Sequence, residues 1–329
     1  MNAARRAMAL SILGGVALAP ACRGREGAGP EEAPPADTTP HAEYGCRPDE
    51  SGIPHICDFA HIAFRSRDLA AARAFYGAFL GLDEPFDAGS DMAVFKIADD
   101  QLIEVLRGEA PTGDTSFQLE RIAFSTSDAE ALRRLFASKG IAVPSAVSTN
   151  VLGNTSFTTT DPEGHLVEWV QYERESLTGK AVGKGLAATR IGRSVHHLGV
   201  TITDPGRATA FYGALGFFPS KTADKEAMRA PNGNVRIEYG VTHTTPTKTF
   251  ALSRDHLCLR VDDTRAAALL LAARDPSVAI EQHLLDGFTF RANVVDPEGT
   301  RIELADSVLL PEGEASGPGD VGAADAGGD

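Results

Sequence analysis

The sequence has no basic stretch. Its 31 lysines and arginines are outnumbered by 45 aspartates and glutamates, leaving a formal charge of -14. Without a run of cations to displace counterions from a phosphate backbone, the composition argues against a nucleic-acid partner. It also lacks a membrane-spanning apolar run: Ala7 to Ala19 falls short of the ~20 residues a helix needs to cross a bilayer. Two stretches are poor in apolar side chains. Residues 23–43 are dominated by Gly, Pro, Ala, Glu and Thr, and after Asp306 the chain runs Ser-Val-Leu-Leu-Pro and then mostly Gly, Ala, Asp and Glu, without a Lys or Arg. Neither can bury enough surface to offset the entropy of ordering, so a tether and a solvated acidic tail are expected over 22–54 and 308–329. The remainder, in a chain of 329 residues that is 43% hydrophobic and 23% charged, has material for two globular domains.

Arg5-Arg6, the apolar run behind them and the small residues Ala19-Pro20-Ala21 read as an export signal over 1–21. Leu18-Ala-Pro-Ala-Cys22 resembles a bacterial lipoprotein signal with its leucine one place too far upstream, and the paired arginines leave twin-arginine export open. The expectation is a bacterial protein that is exported, periplasmic or anchored to the outer membrane, touching membrane only through a lipid on Cys22. Cys46 and Cys57 flank a short segment containing Pro and Gly, and in an oxidising compartment such a pair closes a small loop by disulfide.

From Phe59 onward the chain repeats itself at an offset of about 135 residues. Phe-Tyr-Gly-Ala-Phe-Leu-Gly at 75–81 returns as Phe-Tyr-Gly-Ala-Leu-Gly at 211–216, and Asp-Pro-Glu-Gly at 161–164 returns at 296–299. Each half divides again, because His61-Ile-Ala-Phe, Arg121-Ile-Ala-Phe, His197-Leu-Gly-Val and His256-Leu-Cys-Leu each open a strand-like segment. Helical periodicity follows near 68–79, 127–138, 205–214 and 262–273, with Asp204 and Asp262 placed to cap the last two. Three short strands are expected after each helix. The fold class is therefore α+β: four β-α-β-β-β units forming two domains, 55–173 and 194–307, joined by 174–193, with helices on the apolar outer face of cupped mixed sheets.

Strand parity singles out the second half. Successive side chains of a strand point to opposite faces, so His197, Glu238, His256 and Glu303 each oppose apolar neighbours and can line one concave surface. Charged groups are rarely left unpaired inside such a cup. Two imidazoles and two carboxylates with open positions suit Fe2+, Mn2+, Ni2+, Co2+ or Zn2+. Cys258 shares the His256 face, while parity sends His196 away from the site.

This arrangement resembles the vicinal oxygen chelate superfamily, which holds glyoxalase I, methylmalonyl-CoA epimerase, bleomycin-resistance proteins and type I extradiol dioxygenases. In that superfamily two units pair into a cup and the metal ligands come from the first and last strands of each unit. His197 and His256 match the first-strand positions, Glu238 and Glu303 the last-strand ones. The first half carries His61, Glu104 and Glu168 at the corresponding places, but its fourth position is Arg121. A guanidinium has no lone pair to offer a metal, so a salt-bridged, degenerate pocket is expected there.

The resemblance implies a small-molecule substrate that chelates the metal through two neighbouring oxygens. A glyoxalase-like lyase or isomerase acting on a hydroxycarbonyl compound is the leading reading, with Glu238 or Glu303 moving the proton beside a carbonyl. An Fe2+ extradiol dioxygenase needs only His197, His256 and Glu303. His243 and His283 lie roughly where acid-base histidines stand in those enzymes, although Asn293 occupies the place of their tyrosine. A binder of the bleomycin-resistance type, without turnover, is the third reading.

Overall fold

The computed structural model describes residues 54–109, 119–222, 225–241, 255–285 and 289–306. The export segment, Cys22, Cys46, His243 and the acidic tail lie outside these residues. The first half runs β1 (Ile56–Ser66), α1 (Leu69–Ala72, continuing as a π-helical stretch over Arg73–Phe79), β2 (Met92–Ala98) and β3 (Gln101–Arg107). Then come β4 (Leu119–Thr126), α2 (Ala129–Ser138), β5 (Ser148–Thr149), β6 (Thr155–Thr160) and β7 (Leu166–Gln171). After the short helix α3 (Leu177–Lys180), the second half repeats the order. It has β8 (Ser194–Ile202), α4 (Pro205–Ala214), β9 (Phe218–Thr222), β10 (Lys225–Arg229) and β11 (Arg236–Val241). It ends with β12 (His256–Val261), α5 (Thr264–Arg274), β13 (Glu281–Leu285), β14 (Thr289–Val295) and β15 (Arg301–Asp306).

Two mixed sheets result, ordered β2-β3-β1-β4-β7-β6-β5 and β13-β14-β15-β12-β8-β11-β10-β9. In every unit the first strand pairs in parallel with the last, and each pair of units joins through its first strands, antiparallel. That topology sets four chemically important strands side by side at the centre of each sheet. The expected three strands after each helix appear in three units. In the first, the strand after the helix shrinks to a single bridge, Asp83 with Lys96. Pro85, two residues on, has no N–H to continue a ladder.

Each of the four longer helical segments begins at an aspartate in extended backbone whose side chain accepts from the first turn: Asp68, Asp128, Asp204 and Asp263. The expected cap Asp262 instead pairs with Arg193 at 2.7 Å, and its neighbour Asp263 takes the role because its carboxylate reaches the Ala266 N–H at 2.9 Å. The helices bury Leu69, Phe75, Tyr76, Leu132, Phe136, Tyr212 and Leu271 against Ile62, Phe95, Phe124, Trp169, Leu198, Ile237, Leu257 and Ile302. This is one continuous core. Phe217 of the second half stands 5.0 Å from the Phe124 ring of the first.

The two repeated motifs hold the halves together. The Tyr76 hydroxyl donates to Asp296 at 2.9 Å, and Tyr212 donates to Asp161 at 3.1 Å, so the helix of each half reaches the Asp-Pro-Glu-Gly turn of the other. The glutamates of the same turns complete the exchange, Glu298 with Arg67 and Glu163 with Thr203. Gly164 and Gly299 close these turns at φ of 97° and 95°, in the left-handed region that only glycine enters without strain. The linker is packed as well: buried Lys96 donates to Ala181 and Lys184 carbonyls at 2.7 Å each. Cys57 is disulfide-bonded, and its partner lies outside the described residues.

Candidate metal centre

The second-half sheet places its polar residues through strand register. Glu238 pairs with Gly199 and Gly199 with His256; one row away, His197 pairs with Cys258 and Cys258 with Glu303. Paired residues share a face, so the four expected side chains project from β11, β8, β12 and β15 onto one surface, with Gly199 adding no side chain between Glu238 and His256. His197 Nε2 lies 2.9 Å from His256 Nε2, 3.5 Å from Glu238 Oε2 and 3.8 Å from Glu303 Oε1. His256 Nε2 is 3.9 Å from Glu303 Oε2. One ligand atom each from His197, His256 and Glu303 falls within 4.8 Å of the others.

These groups suit a divalent ion. Neighbouring ligands at right angles around an ion with bonds of about 2.1 Å stand about 3.0 Å apart, so the histidine pair already has that separation and the carboxylates need to close by less than an ångström. Burial, reinforced by His256, His196, Lys225 and Arg291, pushes His197 well below the usual imidazole value, leaving the neutral form a metal requires. Two buried oxygens on this face, Asn293 Oδ1 beside Glu303 and Thr201 Oγ1, have no hydrogen-bond partner among the described residues. A polar guest would satisfy them.

Sequence reasoning missed two cations. Lys225 Nζ lies 3.4 Å from Glu238 Oε2, and Arg291 Nε lies 3.1 Å from Glu303 Oε1. Strand parity would have found Arg291, two residues before Asn293 on the same face; Lys225 gives no such signal. His196 also departs from expectation. Its ring abuts His197, with the two Nδ1 atoms 2.8 Å apart, because a β-bulge at His196, between the His197–Cys258 and Val195–Leu259 pairs, breaks the alternation. His283 sits on the edge strand, in register with Arg291, exposed and 3.8 Å from Glu281.

The first half repeats every register with different chemistry. Glu104, Ala63 and Arg121 form one row; His61, Ala123 and Glu168 form the other. Arg121 bridges both carboxylates, Nη2 to Glu104 at 2.5 Å and Nε to Glu168 at 2.6 Å, while His61 Nε2 is 3.1 Å from Glu168. Burial would raise Glu168, yet His61 and Arg121 outweigh it and hold the carboxyl far below its usual range. The neighbouring Glu120 faces away and pairs with Arg65 at 2.8 Å.

Residues 58–169 match the family model of the Glyoxalase/Bleomycin resistance protein/Dioxygenase superfamily. The chain carries a tandem vicinal oxygen chelate fold. Solved structures agree. The Mn(II)-bound glyoxalase from Novosphingobium aromaticivorans is 20% identical, with a TM-score of 0.56 over 77% of this chain and 83% of that one. A catechol 2,3-dioxygenase is 14% identical, with a TM-score of 0.57 over 77% and 88%. The 2,3-dioxygenase LapB from Pseudomonas sp. KL28 is 15% identical, with a TM-score of 0.55 over 77% and 93%. No curated protein sequence matches the chain. At these identities the likeness is one of fold: two vicinal oxygen chelate domains, one per sheet, each built from two of the four units.

Proposed function

We propose that the second domain binds one divalent metal ion through His197, His256 and Glu303, with Glu238 as a fourth acidic group, and works as a glyoxalase-like lyase or isomerase on a small hydroxycarbonyl substrate. The observation that carries this reading is the meeting of two imidazoles and a carboxylate within 4.8 Å, at registers where the other domain has a salt bridge instead. The bound ion would supply Lewis-acid polarisation of the two substrate oxygens. The chain supplies the rest. Glu238, whose Oε2 lies 3.4 Å from Lys225 Nζ, would take and return the proton beside the substrate carbonyl. Arg291 steadies Glu303, and Asn293 Oδ1 offers an acceptor to a substrate hydroxyl.

A second reading, an extradiol ring-cleaving dioxygenase, is supported by the same cluster: the residues that gather most tightly are two histidines and one carboxylate, and Glu238 stands outside that group. We also read the protein as exported, on its leader sequence and on the disulfide at Cys57, which persists in an oxidising compartment.

Anaerobic reloading of chelator-treated protein with Mn2+, Ni2+ or Fe2+ separates the alternatives. Solvent deuterium entering hydroxycarbonyl compounds without oxygen uptake supports the isomerase, whereas oxygen consumption with catechols favours the dioxygenase. Failure to retain stoichiometric metal sinks both and leaves a small-molecule binder.

A further inference from the structure

The duplication supplies an internal control for residues around the centre. In the first domain, the bulged residue ahead of the strand histidine is Ala60 and the residue across from that histidine is Ala123; with Val170 they form a small apolar cluster. The second domain has the same bulge and register, but the equivalents of these two alanines are His196 and Cys258. A nitrogen of His196, a nitrogen of His197 and the Cys258 sulfur all lie within 4.8 Å of one another, and the His196–His197 contact is made through Nδ1, the edge of the His197 ring opposite the one facing His256.

We propose that the second domain carries another metal position, thiophilic in character, in which His196 Nδ1, His197 Nδ1 and Cys258 Sγ hold a Zn2+ ion. The ligand set is that of a soft or borderline cation. Zinc bonds of about 2.0–2.1 Å to nitrogen and about 2.3 Å to sulfur, at tetrahedral angles, put ligand atoms roughly 3.3–3.6 Å apart. The 2.8 Å nitrogen pair therefore opens by about half an ångström. In a regular strand two consecutive histidines could not share an ion, because they would face opposite sides of the sheet. The bulge removes that obstacle. Metal entry breaks the Cys258 S–H bond and forms a sulfur–zinc bond; the proton leaves to Glu303, whose Oε1 is 3.6 Å from the sulfur, and from there to solvent. The two positions share His197 and compete for it, so disabling the first isolates the second.

The test uses chelator-stripped full-length protein titrated with Co2+, whose thiolate complexes show sulfur-to-metal charge-transfer absorption in the near ultraviolet. The wild type and His256→Ala are expected to develop this band, and Cys258→Ala and His196→Ala to lose it. Both alanine variants restore what the first domain already accommodates at Ala123 and Ala60. Absence of the band in wild-type protein means that His196 only hydrogen-bonds His197, and overturns the proposal. A band unchanged by Cys258→Ala comes from another cysteine, and a band lost in His256→Ala makes Cys258 a ligand of the first centre; either result also overturns it. Failure of the proposed enzyme reading leaves the expected spectra of wild type and His256→Ala unaltered.

Discussion

At the scale of single residues, the metal site proposed for the second domain turns on the contrast between Arg121 and His256. They occupy the same register, paired with Ala63 and Gly199 respectively. Arg121 is a fixed cation between two buried carboxylates. Replacing it by alanine leaves Glu104 and Glu168 buried with only His61 to share between them, and breaking such a buried pair costs up to about 3–5 kcal/mol. Arg121→Ala is therefore expected to lower the denaturant midpoint sharply while the metal bound by the chain stays in place. His256→Ala should do the reverse. It removes one of three gathered ligands, so affinity falls by more than the roughly 10–100-fold that losing an outer-shell partner costs, and metal analysis after loading with Mn2+, a poor partner for the thiophilic position, and dialysis should find the ion gone. Parity along four short strands was enough to set His197, Glu238, His256 and Glu303 on one face, as the registers do. It could not name Lys225 or place His196, because side-chain reach across strands and a local bulge leave no mark in the alternation.

At the scale of elements, the Asp-Pro-Glu-Gly turns were legible as a repeat but not as the clamps they form, since their partners are more than two hundred residues away in one case. Tyr76 and Tyr212 are both fully buried and each donates to a turn aspartate. A hydrogen bond to a charged group contributes about 1.5–3 kcal/mol, so Tyr76→Phe should lower stability by that order in equilibrium unfolding. The two turns differ at one position. His165 follows the first turn and bonds Asp161 at 2.9 Å, where the second turn has Thr300. Burial would lower His165, but the Asp161 carboxylate outweighs it and the imidazole is raised above 6.5; Asp161, which burial alone would raise, is lowered by the same pairing. A raised histidine contributes stability that is complete below its unfolded value and disappears as pH rises through the folded one. The lowered aspartate contributes above its unfolded value and loses it as pH falls. The wild type should thus lose thermal stability on going from pH 6 to pH 9, and His165→Thr, which copies the other turn, should flatten that decline. An equal slope in the variant assigns the pH dependence elsewhere.

At the scale of the whole molecule, the duplication has kept a sheet topology twice and a cluster of two histidines and two carboxylates once. Every register that sets the four polar positions in the second domain is reproduced in the first, so a single side chain, Arg121, stands between a salt-bridged pocket and a second two-histidine, two-carboxylate set. The fourfold unit and its helices could be read from the sequence because the apolar face of each sheet imposes a period; the first unit's missing strand could not, because one proline removed it. Arg121→His tests the equivalence directly. Without metal the variant should be destabilised, since a neutral imidazole cannot offset Glu104 and Glu168 as a guanidinium does. Added Mn2+ or Zn2+ should then restore stability, and in a His256→Ala/Cys258→Ala background, which disables both positions proposed for the second domain, the restoration can come only from the first. Thermal unfolding of Arg121→His/His256→Ala/Cys258→Ala with and without metal should show a midpoint that rises with ion concentration, as linkage requires of a ligand that binds only the folded state. No rise would mean that the first cup differs from the second by more than its guanidinium.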